Sequence, residues 1–232
     1  MSKKVDFHKL IKENCIVSTV STSHLPELEQ EIKKQQTEGK IDEQFSQEYI
    51  SQFKFAPPQE LMNSQSLIVV AMPRPPTRAT FSWNGKQQSF ILPPTYTAYD
   101  EKRLYIERLV AEAVGREGYR IATPILPLKL LAVHSGIAEY GRNNITYASG
   151  MGSFMRLAAV YSDMPCETDH WRKVQMMKSC KNSKSARKLV QQAQFLQIVS
   201  CLKPKNALHF TTRKKGIYPF PHGLILSGTT AL

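Results

Sequence analysis

The stretch that decides the fold runs from Leu126 to Asp163, LPLKLLAVHSGIAEYGRNNITYASGMGSFMRLAAVYSD. From Leu126 to Ile137 the apolar residues are too dense for one helical stripe, so the segment predicts a helix covered on most sides. Gly136 and Gly141 bracket its end, where a chain leaving a helix often needs a positive φ. Arg142, Asn143 and Asn144 follow as a polar turn rich in donors and acceptors. Gly150 and Gly152 flank Met151 without side chains, which leaves room for another backbone or a flat ligand. Phe154 to Tyr161 (FMRLAAVY) then reads as a buried strand.

Upstream, Ser66 to Met72 (SLIVVAM) is a second buried strand, β-branched and stopped by Pro73, Pro75 and Pro76. Thr80 to Leu92 alternates around Asn84-Gly85, the favoured two-residue hairpin turn, and Trp83 beside it is expected to cover one sheet face. Helices are expected at Asp6 to Lys12, His24 to Gly39, Asp42 to Phe53 and Asp100 to Gly118. The second has Pro26 near its start, acids early and Lys33 and Lys34 late, as the helix dipole favours. A short strand around Tyr119 to Ala122 precedes the deciding stretch. This mixture predicts an α+β fold, a layered sheet flanked by helices, rather than a doubly wound parallel sheet. There is no G-x-G-x-x-G, no P-loop and no internal repeat.

No apolar run approaches a transmembrane span, and the polar start MSKKVDFHKL does not read as a signal peptide, so a cytoplasmic protein without membrane contact is expected. Cys15, Cys166, Cys180 and Cys201 then read as thiols or metal ligands rather than disulfides. Charge is informative by position. Residues 1–170 contain 19 Lys and Arg against 19 Asp and Glu, whereas residues 171–232 contain 12 Lys and Arg and no acid. A basic tail commonly points to nucleic acid or an anionic surface, but a complete lack of acids needs a separate explanation.

Leu131, Gly136, Gly141, Arg142, Asn143, Gly152, Ser153 and Phe154 form the pattern L-x-x-x-x-G-x-x-x-x-G-[KR]-N followed by a G-S-F/Y strand. This pattern resembles the segment before the ferredoxin motif in epoxyqueuosine-reductase-like iron–sulfur proteins. The F-x-P-P and S-L-I-V-V-A-x-P-x-P-P arrangement resembles that family's N-terminal part, and the resemblance covers roughly residues 25–182. It implies a sheet flanked by helices, related to flavin nitroreductase and cobalamin-handling folds. It also implies an oxidoreductase that uses two [4Fe-4S] clusters and cobalamin, an external electron donor and an RNA-nucleoside or small-molecule substrate. A homo-oligomer is compatible with it. The tRNA-reducing members carry an acid shortly before the organising helix, thought to donate a proton. Residues 119–133 contain no Asp or Glu, so the implied reading is a paralogue with an unknown substrate.

In the family the strand is followed by C-x2-C-x2-C-x3-C-P, which holds a cluster. The same register falls here on Cys180, Ser183, Ala186, Val190 and Gln191, so one ligand position of the motif keeps its cysteine. The replacement has a codon-level explanation. Arg187 to Phe195 can be written CGA AAG CTT GTC CAA CAG GCG CAA TTT, and reading one base over gives KACPTGAI, the family's cluster motif. The same shift converts Cys201 to Thr212 into LKAEKCLTFHN, and His222 to Leu232 into WIDPxWHNCL. Residues 1–170 therefore read as an α+β cofactor-type domain. Residues 171–232 read as the irregular remnant of a ferredoxin-like cluster domain, out of frame after about residue 183. Out-of-frame translation also explains the missing acids.

Gly136, Gly141, Arg142, Asn143 and Asn144 are the candidate cofactor-binding residues, for cobalamin or a flavin, with a helix cap and polar turn as the bland reading. Cys180 is the candidate metal residue, in an incomplete site. His134 reads as a hydrogen-bonded core histidine. Tyr140 and Tyr147 read as buried tyrosines or proton donors, Cys15 and Cys166 as buried thiols, and Met176 and Met177 as packing residues. Three functional classes follow: a cluster-deprived relative of the reductases, a non-enzymatic nucleic-acid-binding module using the basic tail, and a cofactor enzyme independent of iron. The second lacks the aromatic interleaving of single-strand binders. Sequencing the gene across the codons for Lys181 to Lys188 tests the first. The expected result is an A-rich run followed by cysteine codons one base over.

Overall fold

A computed structural model describes residues 5–92, 99–178 and 229–231. The chain opens with α1 (His8–Lys12), which buries Leu10, and β1 (Ile16–Ser21). Helix α2 (Leu25–Thr37) starts on Pro26 and Glu27 and buries Leu25, Leu28, Ile32 and Gln35, a stripe at helical spacing. Helix α3 (Glu43–Glu48) is capped by Asp42, whose carboxylate accepts from the Phe45 N–H. There follow β2 (Ser66–Pro73), β3 (Thr77–Trp83), β4 (Lys86–Leu92), α4 (Tyr99–Gly115), β5 (Ile121–Ala122) and α5 (Leu128–His134). The short pair β6 (Ala138–Tyr140) and β7 (Thr146–Ala148) leads into β8 (Met155–Ser162), and β9 (Thr229–Ala231) lies near the end of the chain.

The central sheet has the order β1-β2-β8-β5, and all its pairs are antiparallel. Residues Leu67 to Met72 of β2 are all buried, and alternation along the strand divides them between two cores. Leu67, Val69 and Ala71 join Val20, Ala159 and Tyr161 against α2 and α5. Ile68, Val70 and Met72 join Ala158 and Val160 against α1 and α4, where Leu10, Ile106, Val110 and Val114 close the layer. The fold is therefore α+β, with helices on both faces of an antiparallel sheet. A separate sheet, β4-β3-β9, carries the hairpin. Asn84 and Gly85 both adopt positive φ, 49° and 71°, at its turn, as a two-residue type I′ connection requires. Among the described residues no helix is long and apolar enough to cross a membrane.

The structure departs from the sequence expectations at several points. The helix expected over residues 126–137 is shorter, because Pro127 sits at its N-cap and Gly136, at φ 81°, turns the chain into β6. The helix expected over residues 42–53 divides into α3 and a 3-10 turn, Ile50–Gln52. Strand β1 was not expected. Its IVSTVS carries serine and threonine between the valines, and it lies on an edge where little of it is fully buried. Trp83 does not cover a sheet face; it is 53% exposed.

The contrast between Leu131, fully buried, and Trp83 is measurable by urea unfolding. Leu131→Ala is expected to lose about 2–5 kcal/mol through the cavity it leaves. Trp83→Ala is expected to change stability by less than about 1 kcal/mol, as surface substitutions do.

Candidate functional site

The residues singled out in the sequence gather around the exit of α5. All of Leu130, Leu131, Ala132, Val133 and His134 are buried, so this helix end is held inside the molecule and its last carbonyls need partners. Ser135 O accepts the buried Ser18 hydroxyl of β1 at 2.7 Å. Arg172 meets most of the remaining demand. Its Nε donates to Val133 O at 3.3 Å and its Nη2 to Ala138 O at 3.1 Å, placing a cation at the negative end of the helix dipole. Gly136 is required by the turn, at φ 81°; a Cβ there would make only ordinary contact with Arg172 Nε, at 3.5 Å.

Beyond Gly136 the chain forms the β6–β7 hairpin, whose turn is Gly141, Arg142, Asn143, Asn144 and Ile145. Gly141 N–H donates to Ile145 O at 2.8 Å, and Asn144 takes the left-handed conformation at φ 61°. Asn143 ties the turn from both ends of its amide: Nδ2 donates to the Tyr147 hydroxyl at 2.9 Å, and Oδ1 accepts from Ile145 N–H at 3.2 Å. A Cβ on Gly141 would lie 2.5 Å from the Tyr147 ring and 2.8 Å from Asn143 Oδ1, so no other residue fits there without displacing both. Gly141, Asn143 and Tyr147 thus form one unit, with Arg142 and Asn144 beside it on the turn. Gly136 lies instead beside Arg172. Gly150 and Gly152 face open space, with nothing within 4 Å of a Cβ at either.

Tyr140 is buried in β6. Its N–H donates to Gln175 O at 3.2 Å, and its carbonyl accepts from Met177 N–H at 2.9 Å, a parallel bridge that fastens residues 175–177 to the hairpin. His134 is a hydrogen-bonded core histidine, with Nδ1 2.8 Å from Arg172 O and Nε2 2.9 Å from Glu31 Oε2. Cys180 lies outside the described residues, as does Cys201. Among the described residues no group of three or more His, Cys, Asp and Glu side chains is placed to hold a metal ion.

An open cavity of about 470 Å3 is lined by Ser21, Thr22, Ser23, Pro57, Ser64, Gln65 and Cys166. Burial pushes the Cys166 thiol up to about 11, with Asp169 adding to the effect, and Cys15 is likewise pushed up to about 11 by burial and Glu13. Neither is a thiolate near neutral pH, so neither is an activated nucleophile. Sequence reasoning missed Arg172, Trp171, Glu31 and Asp169. Arg172 and Trp171 fall just inside the stretch whose composition alone marked it as a tail, and no local spacing links them to α2 or α5.

No protein-family model matches the chain. No curated protein matches it either. Solved structures do. An epoxyqueuosine reductase bound to an epoxyqueuosine-modified tRNA-Tyr stem loop is similar at a TM-score of 0.57 and 16% identity, over 90% of this chain and 59% of that one. Epoxyqueuosine reductase from Bacillus subtilis, with its catalytic loop swung out of the active site, is similar at 0.54 and 17%, over 90% and 59%. The Streptococcus thermophilus enzyme is similar at 0.50 and 16%, over 90% and 60%. The chain spans about 60% of the length of these structures. The resemblance read from the sequence pattern thus holds at the level of the fold.

Gly141→Ala tests the hairpin unit. It is expected to cost about 1–2 kcal/mol in urea unfolding, because the new methyl displaces the Tyr147 ring and the Asn143 amide. Combined with Tyr147→Ala the two losses should sum to less than the separate values, since the clash disappears.

Proposed function

We propose that this chain is the cofactor-type domain of an epoxyqueuosine-reductase-like oxidoreductase that can no longer receive electrons through iron–sulfur clusters. The observation that carries the proposal is the donor set at the cluster register. Cys180 offers a thiolate and Ser183 a hydroxyl, but Ala186 and Val190 have no donor atom at all. The residues present do not fit a cubane cluster, and no step of electron transfer runs through one. The shared fold supports the family assignment, and the codon arithmetic supports loss of the cluster domain by a change of reading frame.

An organic cofactor fits the described residues better. Nothing stands within 4 Å of a Cβ at Gly150 or Gly152, and the β6–β7 turn carries Arg142 and Asn144, residue types suited to phosphate and amide substituents. A corrin or flavin held there would supply the redox chemistry, while this chain's residues would bind and orient it. The Tyr147 hydroxyl accepts from Asn143 Nδ2 and keeps its own proton, while residues 119–133 contain no carboxylic acid. The acid that the tRNA-reducing enzymes carry before this helix thus has no counterpart in this sequence, which supports a paralogue with a different substrate. No feature of the described domain favours the rival reading, a nucleic-acid-binding module acting through its basic tail.

Anaerobic reconstitution with iron and sulfide tests the proposal. The expected product holds less than one iron per chain after desalting and shows no cluster absorbance. About eight irons, the complement of two cubanes, would overturn it.

A further inference from the structure

None of the candidate cofactor residues lines the cavity of about 470 Å3, whose size falls in the range usual for small-molecule sites. Its walls are held by the protein itself. The 3-10 turn Thr22–His24 follows β1 directly, and Ser21 caps it, accepting from Ser23 N–H at 3.2 Å with the two hydroxyls 2.8 Å apart. Thr22 N–H donates to Gln65 O at 3.1 Å and Thr22 Oγ1 to Ser64 O at 3.0 Å, which ties this turn to the chain entering β2. Gln65 is fixed from the end of β8, its N–H on Ser162 O at 2.9 Å and its Nε2 on Asp163 O at 3.3 Å. Cys166 also lines the cavity. The chain beyond it reaches Trp171, whose indole lies flat between the His24 and His134 rings, with centroids 4.4 and 4.1 Å away, and this stack fastens the segment to the turn. The lining groups therefore stand in place before a ligand arrives.

The chemistry of the lining selects the ligand. No Lys, Arg, His, Asp or Glu is part of it, and the Cys166 thiol, pushed up to about 11 by burial and by Asp169, is neutral as well. The nearby Asp169 carboxylate is occupied by Ser21 N–H at 3.4 Å, Trp171 N–H at 3.0 Å and His24 Nε2 at 2.7 Å. A phosphate or carboxylate would find no cation in this lining, and an ammonium group no carboxylate. An apolar molecule would cover hydroxyls without bonding to them. What the walls do offer is the hydroxyls of Ser21, Thr22, Ser23 and Ser64, each able to donate and accept, and the accepting Oε1 of Gln65. The neighbouring hydroxyls of a polyol have that same double character, and Pro57 supplies an apolar wall for its C–H groups. Ser64 adds an unmet demand. It is 7% exposed; its N–H donates to Leu61 O at 3.1 Å and its carbonyl accepts from Thr22, but its Oγ has no partner among the described residues. Buried hydroxyls are rarely left so.

We infer that this cavity is a binding site for an uncharged polyhydroxy compound of the sugar or cyclitol type, and that the Ser64 hydroxyl turns about χ1 to meet one of its oxygens. The site is independent of the reading of the chain as a cofactor-type domain, because it shares no residue with the β6–β7 turn or with Gly150 and Gly152. Its contacts are hydrogen bonds between neutral groups, so affinity is modest and selectivity comes from the absence of charge.

Saturation-transfer NMR on the full-length protein tests this, with glucose, ribose and myo-inositol as the neutral probes and gluconate and glucose 6-phosphate as the charged ones. At least one neutral probe is expected to bind saturably, with a dissociation constant of about 1–10 mM. Both anions should bind that site at least about tenfold more weakly. Ser64→Ala is expected to weaken the neutral probe about fivefold, while leaving the urea midpoint unlowered because the hydroxyl it removes has no partner. Ser23→Trp, at an exposed position, places an indole in the cavity and should abolish the signal with an unchanged far-UV circular dichroism spectrum. No saturable signal from any neutral probe, tighter binding of either anion, or neutral binding that survives Ser64→Ala or Ser23→Trp undiminished would each overturn the inference.

Discussion

Every side chain from Leu67 to Met72 is buried, and because successive residues of a strand point to opposite faces, β2 must be covered on both sides at once. That requirement shapes the rest of the molecule. It needs α2 and α5 on one face and α1 and α4 on the other, and it needs a neighbouring strand of equally double-sided character, which β8 supplies from Arg156 to Ser162. The edge positions can be more polar, and β1 and the two-residue β5 fill them. The hairpin β3–β4 stands outside this demand. It has only Ala79 fully buried, and it keeps Trp83 at its tip in solvent.

The elements most legible in the sequence are those whose signal is local. The unbroken apolar runs of β2 and β8, the Asn84-Gly85 turn and the amphipathic stripe of α2 all follow from a few consecutive residues. The family pattern around Gly136 and Gly141 also led to the right fold. Strand β1 was not legible, because IVSTVS becomes a strand only when Val20 and Ile16 find β2. The strand β6 was not foreseen either. Ala138 to Tyr140 follows directly on the expected helix, and the left-handed Gly136 turns the chain into it.

The candidate residues proved to serve unequal purposes. Gly136 and Gly141 have internal reasons for being glycine: the first takes a positive φ at the turn, the second accommodates Tyr147. Asn143 braces its own turn. At Gly150 and Gly152 nothing among the described residues stands within 4 Å of a Cβ. The Trp171 stack could not be read in advance at all. His24 and Trp171 are separated by most of the domain in sequence, and neither has a neighbour whose spacing announces the other.

The Arg172 cap bears on how far the folded framework reaches along the chain. Composition draws a border at residue 170, where acidic residues cease, but the bonds from Arg172 to Val133 and Ala138 and from Met177 to Tyr140 cross that border without interruption. The Arg172 guanidinium completes a helix end, and the backbone of Gln175 and Met177 pairs with Tyr140. The folded framework therefore runs past the compositional border, and the first cations of the acid-free stretch are part of its masonry.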